Sequence, residues 1–293
     1  MSTNPTDDTL FVEAWQASNE EVPSDQAAAD FLYDSLVIYN KIECLCRQPQ
    51  IVHKPGDRFY SCRNCKKVSW VTSGTLFAGV VKLRAWLALV WLKERGITIS
   101  AVRFSRLLEI AQSTALNIQK RLGMVLEESL DESSPSLPAQ FLLPIIIKRS
   151  KETPAQEHPR SELAEALEHG AQFLSLDQWE SFSSKKEDLS AVIAAYLETS
   201  DWCLASSHTS DSIASAIKAA IAYIRTYFHG VSRKCLQLYL AFFWCHFDRA
   251  RWSQGAILLA CLEHPPISYE SIVRYVSPPA VKLFCSSKLN SCR

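Results

Sequence analysis

Cys44-Leu45-Cys46, fifteen intervening residues, and Tyr60-Ser61-Cys62-Arg63-Asn64-Cys65-Lys66-Lys67 form the stretch that decides the fold of this chain. Two cysteine pairs carried on hairpin turns can set four thiolates tetrahedrally around one Zn²⁺ at ~2.3 Å. Between them, the turn residues Pro49, Pro55, Gly56 and Asp57 separate β-prone runs at Ile51–His53 and Arg58–Ser61, and Val68–Thr72 follows as a third. Too few apolar residues lie here for an independent core, so a structural metal would supply the folding free energy. Cys44, Cys46, Cys62 and Cys65 are the expected zinc ligands. Cys-x-Cys is one residue shorter than the usual Cys-x-x-Cys, which leaves His53 as an alternative to one thiolate.

C-terminal to this ribbon the pattern turns helical. Val81–Arg95 is apolar at Leu83, Trp86, Leu87, Val90 and Trp91 and stops at Gly96. Ser100 can cap a helix to about Glu109, and a further helix runs from Gln112 to about Ser129. The few residues between the last two give helix-turn-helix spacing. On the N-terminal side, Asp25–Tyr39 has helical periodicity, whereas residues 1–23 are polar and acidic and are expected to be disordered. Residues 131–160 read as a linker rich in Ser, Pro and charge, with one short strand at Phe141–Ile147. From Ser161 most segments look helical: Ser161–His169, Asp188–Thr199, Asp211–Phe228, Ser232–Phe247 and Gln254–Glu263. The expected domains are therefore a leader (1–23), helix plus ribbon (24–75), helix-turn-helix (76–130), linker (131–160) and a helical C-terminal domain (161–293).

The 293 residues are 47% apolar and 21% charged, with a formal net charge of zero. That zero conceals an asymmetry. Residues 1–40 hold eight acids and no Lys or Arg, whereas residues 41–128 hold 15 Lys and Arg against six acids. A basic middle segment points to an anionic partner. No apolar run approaches the ~20 residues of a membrane span, and the N-terminus lacks a signal-peptide pattern. An intracellular setting keeps thiols reduced. Cys203, Cys235, Cys245, Cys261, Cys285 and Cys292 are accordingly expected as small buried hydrophobes rather than disulfides.

The basic residues crowd the ribbon and the helices after it. Arg58, Arg63, Lys66, Lys67, Arg103, Arg106, Lys120 and Arg121 are candidates for phosphate contact, which gives salt-dependent affinity. The last helix opens with Gln112-Ser113-Thr114 and continues through Asn117 and Gln119. A recognition helix reads base edges with its N-terminal residues, and Gln or Asn pairs bidentately with adenine. An ordinary three-helix bundle with a solvated basic face has the same pattern; the adjacent ribbon favours double-stranded DNA as the partner.

Several of these segments together resemble a known family. Gln26-Ala-Ala-Ala-Asp-Phe-Leu-Tyr33, the cysteine pairs, Ser73-Gly-Thr-Leu-Phe77, Arg95-Gly-Ile-Thr-Ile-Ser100 and Ser113-Thr-Ala115 resemble ISXO-like insertion-sequence transposases over residues 24–128. Tyr227-Phe-His-Gly-Val-Ser-Arg-Lys-Cys-Leu-Gln-Leu-Tyr-Leu240 resembles the family's closing helix. The resemblance implies a zinc ribbon and helix-turn-helix ahead of an RNase-H-like DDE nuclease domain. Its three carboxylates would hold two Mg²⁺ for phosphoryl transfer. In this chain, His208-Thr-Ser-Asp-Ser-Ile-Ala214 puts Ala214 where the third acid belongs. Asp131-Glu132 lacks the Gly-Gly turn that follows the family's first acid, and Asp201 is the only candidate for the second. No catalytic residues are therefore assigned.

The fold class expected is mainly α with a small β zinc ribbon. A helix-turn-helix follows the ribbon, and then a helix-rich C-terminal domain, the degenerate remnant of an RNase-H-like α/β fold. The function expected is DNA binding without transposase catalysis, with Zn²⁺ as cofactor and a homo-oligomer formed through the C-terminal helices. Two alternatives stand beside it: an active DDE transposase, which alone would need Mg²⁺, and a zinc-ribbon protein-interaction module.

Overall fold

The structure is a computed structural model that describes residues 5–42, 44, 46, 49–130, 136–138, 210–229, 231–252 and 254–284. It is mainly helical with a small three-stranded sheet. The chain divides into two compact units: residues 1–128 with 245–274, and residues 129–244 with 275–293.

The first unit is built around α3 (Leu83–Glu94), whose residues Leu83, Ala85 to Val90 and Leu92 to Glu94 are all buried. A helix buried nearly all round is the centre of a domain. It is covered by α1 (Pro5–Glu21), α2 (Asp25–Ile38) and, from the far end of the sequence, α8 (Ala256–Glu263). Ser24 caps α2 by accepting the Ala27 N–H at 3.1 Å. Within the leader, expected to be disordered, residues 5–21 form a helix. Phe11, Ala14, Ser18 and Val22 recur every three or four residues and are all buried, so α1 has an apolar face that composition alone conceals.

The sheet is an antiparallel meander of β1 (Ile51–His53), β2 (Phe59–Cys62) and β3 (Val68–Trp70), close to the three expected strands. Ile51 pairs with Cys62 and His53 with Tyr60; Phe59 pairs with Trp70 and Ser61 with Val68. Then come α4 (Ala101–Leu107), capped by Ser100 through the Arg103 N–H, and α5 (Gln112–Glu128). The turn between them places Glu109 at φ 52, and the Ile110 N–H reaches back to Ser105 O at 3.0 Å. That is a left-handed helix stop made without glycine. Gly96 (φ 74) ends α3 in the same way, with Ile97 N–H donating to Leu92 O.

In the second unit, α6 (Ser210–Phe228) buries Ile213, Ala216, Ile217, Ala220, Tyr223 and Ile224 along one face. A 3₁₀ turn (Arg233–Cys235) leads into α7 (Leu236–Phe247), whose residues 236–244 belong to this unit. The Tyr223 hydroxyl donates to Phe242 O. Two short strands, β4 (Ser136–Pro138) and β5 (Ala280–Lys282), pair antiparallel. Gln237 holds β5 by donating to Lys282 O at 3.1 Å and accepting the Lys282 N–H at 2.7 Å. Cys235 of this unit and Cys245 and Cys261 of the first are buried and free, as expected; Cys203, Cys285 and Cys292 lie outside the described residues.

Two expectations change. Residues 245–274, expected within the C-terminal domain, pack in the first unit, along with α8 and the unforeseen α9 (Tyr269–Arg274). The short β4, with its partner β5, falls partly in the expected linker. The strand at 141–147 and the helices at 161–169 and 188–199 lie outside the described residues, as do Asp131, Glu132 and Asp201. Ala214 lies in α6. Among the described residues no helix is long and apolar enough to cross a membrane.

Candidate metal centre and nucleic-acid interface

The four ribbon cysteines converge. Cys44 and Cys46 follow the end of α2, where Asn40 (φ 55) turns the chain and Lys41 N–H donates to Leu36 O at 2.8 Å. Cys62 ends β2, and the turn after it brings Cys65 back. The Lys66 N–H donates to Cys62 O, and the Cys62 N–H to Lys67 O, both at 2.9 Å, with Lys66 at φ 59. Sulfur separations are 3.3 Å for Cys44–Cys46 and 3.5 Å for both Cys44–Cys65 and Cys46–Cys62. All four sulfurs lie within 4.8 Å of one another.

These distances fit a metal site. A disulfide needs about 2.05 Å, so the sulfurs are unbonded. A tetrahedron with ~2.3 Å metal–sulfur arms has edges of roughly 3.8 Å, close to the separations found. Backbone donors favour the thiolate. The N–H of Cys65 foremost, and that of Gln50 next, bring the Cys62 thiol down to about 6. Cys65 moves the other way. The Lys67 N–H favours its thiolate, but hydrogen bonding with Cys44, desolvation and Cys62 outweigh it and raise its pKa. A cation bound among the sulfurs would remove that conflict, because a coordinating thiol is deprotonated outright.

His53 is not a ligand. Its Nε2 lies 2.9 Å from Asp30 Oδ1 and its Nδ1 3.1 Å from Phe59 O, and its ring stacks on Tyr33 at 4.1 Å. Asp30 also accepts the Gly56 N–H with both carboxylate oxygens, at 2.8 and 3.0 Å. His53 and Asp30 thus latch the ribbon to α2, a role that spacing could not reveal.

The predicted DNA contacts divide into exposed and engaged. Arg63, Lys66, Lys67, Arg106, Gln112 and Ser113 are exposed; Thr114, Asn117 and Lys120 are half-buried along α5. Arg103 is exposed, but its guanidinium lies 4.1 Å from the centroid of the Phe11 ring. Arg58 donates to Val80 O at 3.3 Å and Val81 O at 2.9 Å, which makes it a tether between ribbon and helices. Arg121 lies over Trp86 at 5.8 Å, its Nε buried with no hydrogen-bond partner, and burial lowers its pKa. Gln119 also turns inward, donating from Nε2 to Ile99 O at 2.9 Å. Ala115, Ile118, Leu122 and Val125 form the buried side of α5. Gln119 lies two turns after Gln112 on nearly the same side of α5 and is buried there, whereas Gln112 at the helix start is exposed; the residues of this helix that reach solvent among the candidates are Gln112, Ser113, Thr114, Asn117 and Lys120.

Set against known proteins, the chain matches no family model, no curated protein and no solved structure.

Proposed function

We propose that this chain is a transposase-derived, DNA-binding protein in which Cys44, Cys46, Cys62 and Cys65 hold a structural Zn²⁺. Four sulfur donors within 4.8 Å of one another suit zinc, and thiolate ligands suit a reducing intracellular setting. The observation that carries the DNA reading is the outward face of α5. Its first three turns present Gln112, Ser113, Asn117 and Lys120 beyond a tight turn from α4. Residues of that type at a helix start read base edges in the major groove, while exposed Arg63, Lys66, Lys67 and Arg106 neutralise phosphate. The resemblance to ISXO-like transposases supports the same reading, and the homo-oligomer is proposed with it. Transposase catalysis is not part of it, because Ala214 occupies the position of a metal-binding carboxylate.

Binding of the full-length protein to pools of random blunt duplexes, followed across 50–200 mM salt, tests the proposal. Wild type should bind with an affinity that falls steeply with salt. Lys120→Glu should weaken all sequences alike, and Gln112→Ala with Asn117→Ala should flatten any sequence preference. Duplex binding unaffected by all three substitutions would sink the recognition-helix assignment.

A further inference from the structure

The ribbon sheet has two faces of opposite character. Side chains alternate across a strand, and the register sorts them. Tyr60 and Cys62 are buried on one side, where Tyr33 stacks on His53 and lies 6.1 Å from Tyr60. Phe59, Val68 and Trp70 occupy the other side, and they are 40%, 58% and 59% exposed. Phe59 and Trp70 are cross-strand partners whose rings meet edge to face at 6.3 Å. This geometry leaves an open aromatic surface on water, its two rings nearly perpendicular.

The charge around that surface identifies its occupant. From Arg58 to Trp70 the ribbon carries four Lys and Arg and no Asp or Glu, and of these Arg58 is engaged by the Val80 and Val81 carbonyls. Arg63, Lys66 and Lys67 are exposed on the knuckle that joins β2 to β3. An exposed aromatic face beside three exposed cations suits a polyanion that has flat apolar faces of its own. Unpaired nucleotides combine the two features, because every base offers a π-face while its phosphate seeks cations.

We propose that the Phe59–Trp70 face of the ribbon binds single-stranded nucleic acid, with bases stacking on the aromatic pair and phosphates held by Arg63, Lys66 and Lys67. The aromatic pair is distinct from the α5 residues Gln112 and Asn117, while the cations Arg63, Lys66 and Lys67 are shared with the duplex reading above. The ribbon face gives the protein a means of engaging DNA where the duplex is open, at an end, a tail or a bubble.

The test compares three fluorescein-labelled DNA probes on the full-length chain: a single strand, a blunt duplex, and that duplex carrying an unpaired tail. Phe59→Ala with Trp70→Ala should weaken the single strand and the tailed duplex by roughly tenfold or more and leave the blunt duplex unchanged. Trp70→Phe alone, which keeps both rings, should retain most of the wild-type affinity. Circular dichroism and metal content report whether each variant still folds. Equal losses on all three probes, or no loss on the single strand, would overturn the proposal. So would a change in sedimentation mass without any change in probe binding, which would assign the face to a second copy of the chain. Failure of the α5 reading looks different: the blunt duplex alone would cease to respond to Gln112 and Asn117.

Discussion

Glu94 and Leu258, 164 positions apart, are joined by a hydrogen bond in which Glu94 Oε1 accepts the Leu258 N–H at 2.9 Å. Glu94 is the last residue of α3, and Leu258 lies in the first turn of α8. The N–H groups of Gly255 and Ile257 also favour this carboxylate, although burial, the larger effect, raises its pKa. The N-cap of α8 is Gly255, which has no side chain to cap with. Glu94 supplies the missing acceptor from another helix. In return, Arg249 closes the end of α3 by donating to the carbonyls of Lys93 and Glu94.

That exchange sets the first expectation. Glu94→Ala strands buried N–H groups at the start of α8 and should destabilise the first unit by about 2 kcal/mol. Glu94→Gln keeps an acceptor and should recover most of the loss. Urea unfolding measures both, and equal midpoints for Ala and wild type would show that the cap is dispensable.

Removing the metal should unfold the ribbon before anything else. A chelator, or Cys62→Ser, should abolish metal binding and expose the ribbon backbone to hydrogen exchange while α3 stays protected. Protons compete with the metal for thiolates, so release should also follow acidification toward and below pH 6, where Cys62 takes up its proton. Elemental analysis should find one ion per chain; a metal-free, fully folded ribbon would refute the site.

Lys93 gives a pH signature. Its ammonium is buried, and desolvation lowers its pKa from 10.5 to about 8. Between those values the unfolded chain holds a proton that the native state lacks, so the Lys93 contribution to stability should rise with pH across that window. Below pH 8 both states are protonated and the full penalty applies. Burial of Cys245 opposes this above pH 9, because its thiol is raised from 9.0 to about 12 and ionises only on unfolding. Lys93→Met should therefore stabilise on the order of 3 kcal/mol at pH 7, and its advantage should shrink as pH climbs to 10.5. A gap that is the same at pH 7 and pH 10 would exclude a buried ammonium.

Two helix stops should respond in opposite directions. Gly96→Ala puts a Cβ at φ 74 and 3.3 Å from the Arg249 guanidinium carbon, and should cost about 1–2 kcal/mol. Glu109→Gly relieves φ 52 in the α4–α5 turn and should be neutral or raise the melting temperature. A fall in melting temperature for Glu109→Gly would mean that its side chain contributes something the geometry does not reveal.

The N-terminal helix offers a direct contrast with a disordered leader. Phe11 is buried on α1, with Arg103 over its ring. Phe11→Ala should destabilise by about 3 kcal/mol, whereas a solvated tail would be insensitive.

The ribbon was legible because its determinants are local. Cysteine spacing, turn residues and period-two runs act within a few positions, so β1 to β3 and the four-sulfur cluster fall where the sequence places them. The starts of α5 and α6 were similarly readable from helix signals within one turn. Tertiary structure alone decided which polar side chains face inward. Asp30 takes His53, Trp86 takes Arg121, and the Ile99 carbonyl takes Gln119, because burial leaves each of these groups needing a partner or a ring that only a distant segment supplies. It also decided that 245–274 join the N-terminal half. A glycine N-cap and an open helix end are each incomplete within their own segments, and become complete only when the chain closes a loop of more than 150 residues to bring Glu94 and Arg249 to them.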